Sequence, residues 1–118
     1  MGAAHYDLLI EQGTHYERLL RLTSRESGAA LDLTGCVLRA QVRVRHSAPD
    51  VLYELTQANG RLVITDAAAG LAQLTIPAAD SAAWPWRAGV YDVELVDAGG
   101  RPVRLMKGAV IVSPEVTR

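Results

Sequence analysis

Two carboxylates, Asp92 and Glu94, stand two residues apart in a segment where apolar and polar residues alternate. In a β-strand this spacing places both side chains on one face, because successive side chains point to opposite faces. Paired carboxylates can perform acid–base chemistry of the kind that hydrolyses glycosidic bonds. The alternative is the solvated outer face of a sheet, where acidic residues are expected. The alternation favours this second interpretation.

The other groups that could act as nucleophiles or metal ligands are scattered. His5, His15 and His46 are separated in the chain, and none has a second ligand at a spacing typical of metal sites. The single cysteine, Cys36, cannot form an intramolecular disulfide, and its position predicts a small core side chain at the start of a strand. No phosphate-binding loop or nucleophile elbow is present. We therefore expect no catalytic residue, no cofactor and no metal, and a chain that is not an enzyme.

Three arginines follow one parity of the clearest alternating segment, residues 36–45. Arg39, Arg43 and Arg45 share one face with Gln41, and the opposite face is apolar. Such a row can contact nucleic-acid phosphates, pair with acids on a neighbouring strand, or form a protein interface, where arginine is enriched. No aromatic residues are interleaved with it and the formal net charge of the chain is −1, so nucleic acid is the least favoured partner. Cross-strand pairing and a protein interface both remain open.

Two tryptophans flank a proline, in the sequence Trp84-Pro85-Trp86. We expect one ring to cap the end of the folded domain and the other to be exposed as an anchor for a partner. The alternative is a carbohydrate-binding or adhesion module in which Trp84, Trp86 and Tyr53 form a platform for sugars. Exposed, coplanar rings would favour that alternative.

Short alternating segments recur along the chain, with turn residues every ~8–12 residues, as is typical of a sandwich or barrel. We predict strands at 6–12, 15–22, 36–45, 51–55, 61–65, 71–76, 90–96 and 103–112. Residues 15–22 also contain good helix formers, but Gly13 and the polar cluster at 24–28 leave too few residues for a typical helix. A helical turn is predicted within 77–83, with Pro77 at its first position. The prediction is an all-β sandwich.

Composition is consistent with a single domain over residues 1–118. The hydrophobic fraction is 49% although phenylalanine is absent, so leucine, valine, isoleucine and alanine must form most of the core. Twelve basic and 13 acidic residues create no overall field toward nucleic acid or an anionic membrane. No apolar run approaches the ~20 residues that span a bilayer, and no signal peptide is apparent. We expect neither nucleic acid nor a membrane as a partner.

Four segments, residues 6–13, 31–35, 88–95 and 103–112, form a pattern by their order and spacing. The pattern resembles the small immunoglobulin-like structural proteins of tailed bacteriophages and prophages. It is similar in particular to the N-terminal domain of the phage upper-baseplate protein family. The resemblance implies an immunoglobulin-like antiparallel β-sandwich of about 7–8 strands. It also implies that the arginine-bearing strand neighbours the strand with Asp92 and Glu94, and that Tyr91 bonds back to nearby backbone.

The resemblance further implies a structural or assembly protein of a phage particle, serving as an adaptor or decoration protein of the baseplate, tail or neck. Its expected partners are other virion proteins, with multiple copies in each particle. It would be made in the cytoplasm of the bacterial host and function in the virion. The terminal segments 6–12 and 108–112 carry little charge, so we expect at least one of them to contact another chain. The candidate interface residues are Arg39, Arg43, Arg45, Asp92, Glu94, Trp84 and Trp86.

Overall fold

A computed structural model describes residues 4–24 and 26–118, so residues 1–3 and Arg25, which belongs to the turn predicted at 24–28, lie outside the described residues. The described part of the chain contains nine strands and one short helix. The strands are β1 (Ala4–His5), β2 (Leu8–Glu11), β3 (Tyr16–Arg21), β4 (Val37–Arg43), β5 (Tyr53–Thr56), β6 (Leu62–Asp66), β7 (Leu71–Ile76), β8 (Ala88–Val96) and β9 (Pro102–Ser113). The helix α1 (Ala78–Ala82) lies between β7 and β8.

The strands form two sheets. The first has the order β1-β9-β8-β4-β5, and β2 pairs with β9 next to β1. The second has the order β3-β7-β6. The prediction of an all-β sandwich is confirmed, and the immunoglobulin-like topology stays a prediction. The described strands number more than the predicted 7–8, because the first predicted strand is divided into β1 and β2 at Tyr6 and Asp7.

The first sheet is mixed, whereas the expected sandwich was antiparallel throughout. Both β1 and β2 run parallel to β9, with Leu8 opposite Val110 and Ile10 opposite Val112. The amino-terminal segment and the last strand therefore pair with each other. Strand β9 also pairs with β8 on its other side, so residues 108–112 have no open edge. Strand pairing of residues 108–112 with another chain is therefore excluded, because both neighbours of β9 belong to the same chain. The expectation that at least one of the segments 6–12 and 108–112 contacts another chain stays a prediction.

Alternating side chains of both sheets fill the core. In β4 the side chains of Leu38, Ala40 and Val42 are buried and Arg39 between them is exposed, as the sequence predicts. Val44 was predicted on the same apolar face, but it is 55% exposed. The reason is that β4 ends at Arg43. Beyond that residue the alternating sequence no longer directs side chains to opposite faces of a strand.

The helical turn predicted within 77–83 is present as α1. The prediction of Pro77 at the first helical position was wrong by one residue, because Pro77 precedes the helix in an extended conformation. The Pro77 carbonyl accepts the N–H groups of Asp80 and Ser81. Ser81 is fully buried, and its Oγ accepts a hydrogen bond of 2.9 Å from the backbone N–H of Gly13. The helix therefore fixes the turn between β2 and β3. Among the described residues there is no helix with the length and apolar character that crossing a membrane requires.

Cys36 is half-buried and lies just before β4, so its prediction as a core strand residue was wrong. Gly35 adopts a positive φ of 75° in the preceding turn, and the strand begins only at Val37. The Cys36 Sγ faces the carbonyl oxygens of Thr34 and Asp32, at 3.8 and 4.0 Å. The thiol therefore packs at the margin of the core.

Candidate protein interface

The charged side chains of β4 and β8 share the outer face of the first sheet. The two strands are antiparallel neighbours, with Arg39 opposite Glu94 and Gln41 opposite Asp92. Arg39 donates hydrogen bonds from Nε and Nη2 to the Glu94 Oε1, at 3.0 and 2.9 Å. The structure therefore brings together the arginine strand and the acidic strand, which the resemblance implied to be neighbours.

The remaining acids on this face also have partners. The Asp92 Oδ2 lies 3.2 Å from Nε of Arg104, which projects from β9. Gln41 donates from Nε2 to the Glu54 Oε2 at 3.2 Å, which links β4 to β5. Positive and negative groups thus alternate across four strands. The resulting surface is polar and balanced in charge.

Arg43 does not join the acids. It stands opposite Val90 in the register, and its guanidinium turns away toward the loop that follows β4. There Nη1 donates to the carbonyl oxygens of Ala48 and Pro49 at 2.8 and 2.9 Å, and Nη2 donates to the Gln41 Oε1 at 2.8 Å. Arg43 therefore shares the outer face with the acids, as expected, but among the described residues its guanidinium bonds to nearer backbone carbonyls and to Gln41 and not to an acid.

Arg45 is exposed and lies past the last residue of β4. Its predicted place in the strand's arginine row was wrong, as for Val44, because β4 ends at Arg43.

At the opposite side of the face, Lys107 of β9 stands opposite Asp92 in the register. Sequence analysis missed Lys107, although its position on the outer parity of the last predicted strand was a usable signal.

The outer face borders an open hollow of about 1160 Å³. Five of the strands contribute to it, together with His46 from the loop after β4. The charged and titratable residues around the concavity are His5, Asp7, Arg39, Arg43, His46, Glu54, Asp92, Glu94, Arg104 and Lys107. This surface can receive a protein partner whose charges complement the alternating pattern.

The tryptophans lie in a separate aromatic cluster. Trp84 is 7% exposed and stacks on Trp86, with ring centroids 4.4 Å apart and planes inclined by 24°. Tyr53 meets Trp84 edge-on at 4.9 Å. Trp86 is half-buried, so the expectation of a freely exposed ring was wrong. The three rings pack into the molecule and do not form an exposed, coplanar platform for sugars.

A polar network that the sequence analysis missed links β5, β6 and α1. The Tyr53 hydroxyl donates to the Asp80 Oδ2 at 2.6 Å, and Arg61 Nε donates to the same oxygen at 2.9 Å. Burial and the bond to Asp80 raise the pKa of Tyr53 to about 12. The Tyr53 hydroxyl and, secondarily, Arg61 lower the pKa of Asp80 below its ordinary value. Asp80 lies within the predicted helical turn at 77–83, and no local signal reveals its two distant partners.

The amino-terminal segment is fixed by two polar contacts to β9 and by one to β8. Tyr6 donates its N–H to the Lys107 carbonyl at 2.9 Å, and the Asp7 Oδ1 accepts the N–H of Ala109 at 2.9 Å. The Tyr91 hydroxyl donates to the Tyr6 carbonyl. Tyr91 was predicted to bond to nearby backbone, and this was wrong, because its partner lies 85 residues earlier. Burial raises the pKa of Tyr91, and the Ala109 N–H lowers the pKa of Asp7.

Within residues 4–24 and 26–118, no group of three histidine, cysteine or acidic side chains is placed to hold a metal ion.

No protein-family model matches the chain, and no curated protein matches it. A solved structure, the N-terminal domain of phage TP901-1 ORF48, has a similar fold, with a TM-score of 0.55 and 16% sequence identity. The similarity covers 95% of this chain and 85% of that chain. The chain therefore shares its fold with a domain of a phage protein.

Proposed function

We propose that the chain is a non-enzymatic structural or assembly protein of a tailed bacteriophage or prophage particle. The observation that carries this proposal is the similarity of fold to a phage protein domain over 95% of the chain. The four resembling segments described above support it independently. In this proposal the protein is made in the cytoplasm of the bacterial host and is present in several copies in the baseplate, tail or neck of the virion.

The concave outer face is the proposed contact surface. Exposed ion pairs contribute only about 0–1 kcal/mol each, so pairs such as Arg39–Glu94 and Arg104–Asp92 add little to stability. Alternating charges are effective in selecting a partner and fixing its register. We therefore assign Arg39, Glu94 and Asp92 to docking. Arg43 supports the face by holding its loop, and the stacked tryptophans lie outside this surface.

The pairing of Asp92 and Glu94 supports the non-enzymatic proposal. Acid–base catalysis by two carboxylates requires that one of them be kept protonated near neutral pH. Here each carboxylate instead forms an ion pair with a different arginine on the exposed face, Glu94 with Arg39 and Asp92 with Arg104. The balanced charge of the face also supports protein partners in preference to nucleic acid.

Particle composition tests the proposal. Particles produced by a strain that encodes the chain would be purified on a density gradient and identified by mass spectrometry, with host cytoplasmic proteins as the contamination control. We expect the chain in the particles at a fixed ratio to known tail proteins, and cross-links from Lys107 to another virion protein. If the chain remains in the host lysate and is missing from intact particles, the proposal is wrong.

A further inference from the structure

The two edges of the first sheet differ in how their backbone groups are satisfied. At the β5 edge, the N–H of Thr56 donates to the Asn59 Oδ1 at 3.0 Å, and the Asn59 Nδ2 donates to the carbonyl of Glu54 at 3.0 Å. The N–H of Arg61 donates to the carbonyl of Thr56 at 3.1 Å. The Asn59 carboxamide thus takes the place of a neighbouring strand. This edge is closed against pairing with another chain.

The opposite edge, formed by β2, is open at Leu9, whereas the carbonyl of Glu11 accepts hydrogen bonds from Thr14. The N–H groups of Tyr6 and Gln12 donate to the carbonyls of Lys107 and Ser113, so the even-numbered residues of this segment face β9. In a parallel ladder the alternate residues direct their backbone groups to the other side, which here is the outer edge. The N–H and C=O of Leu9 therefore point outward. Within the described residues, no backbone group bonds to Leu9 from that side.

Apolar side chains accompany this open edge. Leu9 is 69% exposed and stands opposite Ile111, which is 45% exposed. Ala88 lies next to Ile111 on β8 and is also exposed. A shallow hollow beside them is bordered by His15 and Tyr16, at the opening between the two sheets. The open backbone edge and the exposed apolar strip thus coincide.

The edge is held rigidly in place. Leu8 and Ile10, the inward neighbours of Leu9, are each 1% exposed. Immediately after β2, the Gln12 Nε2 donates to the carbonyls of Ser81 and Trp84, both at 3.2 Å. A strand with buried neighbours and a fixed end is an ordered template for a further strand.

We propose that β2 receives an extended segment of another virion protein, which adds a strand to the first sheet. This deepens the proposed function and rests on it for the class of partner. Asp7 and Glu11 flank Leu9 on the outward parity, so the complementary segment carries an apolar residue between two basic ones. A second copy of this chain is disfavoured, because antiparallel pairing centred on Leu9 would set Asp7 against Glu11 at both ends.

Peptide binding tests the chemistry of the site without a particle. The probe is a short labelled peptide that contains the sequence Lys-Thr-Val-Thr-Lys. The control peptide contains Glu-Thr-Val-Thr-Glu at the same place. Fluorescence anisotropy should show binding of the basic peptide at least about tenfold tighter than of the acidic one. Equal binding of both peptides, or binding of neither, would overturn the proposal.

Matched variants locate the site. Leu9→Lys should weaken binding of the basic peptide by about tenfold or more, because it adds a positive charge and removes apolar contact. Leu19→Lys is the control, since Leu19 is 58% exposed on the second sheet. Leu9→Pro removes the outward N–H and should also weaken binding, while circular dichroism verifies that each variant is folded. Unchanged binding in both Leu9 variants would place the site elsewhere.

Incorporation into particles separates the two proposals. If the wild-type chain is found in particles and Leu9→Lys is lost while Leu19→Lys is retained, both proposals are supported. If all three chains are incorporated equally, the strand-addition proposal fails and the structural role stands. If the wild-type chain is missing from particles, the proposed function fails, and peptide binding alone decides whether the edge accepts a strand.

Discussion

Three tyrosines, the buried Tyr91 and the half-buried Tyr53 and Tyr16, differ in what their hydroxyl groups contact. Tyr91 donates to the backbone of the amino-terminal segment, and Tyr53 donates to Asp80. The hydroxyl of Tyr16 is buried and has no hydrogen-bond partner in the described part of the chain. A bonded buried hydroxyl stabilises the fold modestly, whereas an unbonded one costs the free energy of removing it from water. The same residue type therefore has opposite effects at these positions.

Replacing each tyrosine by phenylalanine should expose this difference. Tyr91→Phe should lower the free energy of unfolding by about 1–3 kcal/mol, because the Tyr6 carbonyl loses its donor. Tyr16→Phe should leave stability unchanged or raise it by up to about 1 kcal/mol, because an unsatisfied hydroxyl is removed. Urea denaturation of the two variants would measure both effects. A loss at Tyr16 as large as that at Tyr91 would show that Tyr16 has a partner in solution.

The half-buried position of Cys36 also gives a measurable expectation. Because its thiol packs at the margin of the core, it should react with thiol reagents in the native state, more slowly than in denaturant. Cys36→Ser should cost less than about 1 kcal/mol, because the new hydroxyl faces two carbonyl acceptors. Native labelling kinetics and urea denaturation test these outcomes. Complete native protection would contradict the placement of Cys36 outside the strand.

At the scale of elements, the contact of Tyr53 and Arg61 with Asp80 joins α1 to β5 and to the residue that precedes β6. The pKa of Asp80 is lower in the folded chain than in the unfolded chain. Its contribution to stability is therefore complete above the unfolded pKa and is lost as the pH falls through the folded pKa. The affected range lies below about pH 4.

Substitution of Asp80 should remove this part of the acid sensitivity. Asp80→Asn should lower stability at neutral pH by about 1–3 kcal/mol, because the charge-assisted bond from Arg61 is lost. Between pH 6 and pH 3 the variant should lose less stability than the wild-type chain does. Asp50→Asn, in an exposed loop, is the control and should keep the wild-type slope. Parallel pH profiles for wild type and Asp80→Asn would rule out this role.

The elements themselves were largely predictable, because local patterns determine them. Alternation located β4, and Pro77 marked the start of α1. The division between β1 and β2 was not predictable, since it depends on the Asp7 side chain binding the Ala109 N–H, 102 residues later. The parallel pairing of β1 and β2 with β9 was not predictable for the same reason, because it also depends on segments that lie far apart in the chain. Contacts between distant segments leave no periodicity in either one.

For the molecule as a whole, the relation of the two charged strands was predicted and the details of the face were not. Arg39 meets Glu94 as the resemblance implied, because strand order fixes which rows are adjacent. The destination of the Arg43 guanidinium depends on a loop that brings the Ala48 and Pro49 carbonyls within reach. The alternation of apolar and polar residues does not indicate which of several nearby acceptors a side chain will contact. For this reason Arg43 is unsuited to testing the face, since its substitution would also disturb the loop.

Exchange of the two partners in the Arg39–Glu94 pair isolates docking from stability. The double variant Arg39→Glu, Glu94→Arg keeps an ion pair at the same place but reverses its direction on the surface. The side chains are 54% and 30% exposed, so the free energy of unfolding should change by less than about 1 kcal/mol. A partner whose charges are fitted to the original order would then meet like charges, which opposes binding. We therefore expect wild-type thermal stability together with reduced incorporation into particles, and each single variant reports whether either charge acts alone. Full incorporation of a stable double variant would show that the concave face does not set the register of a partner.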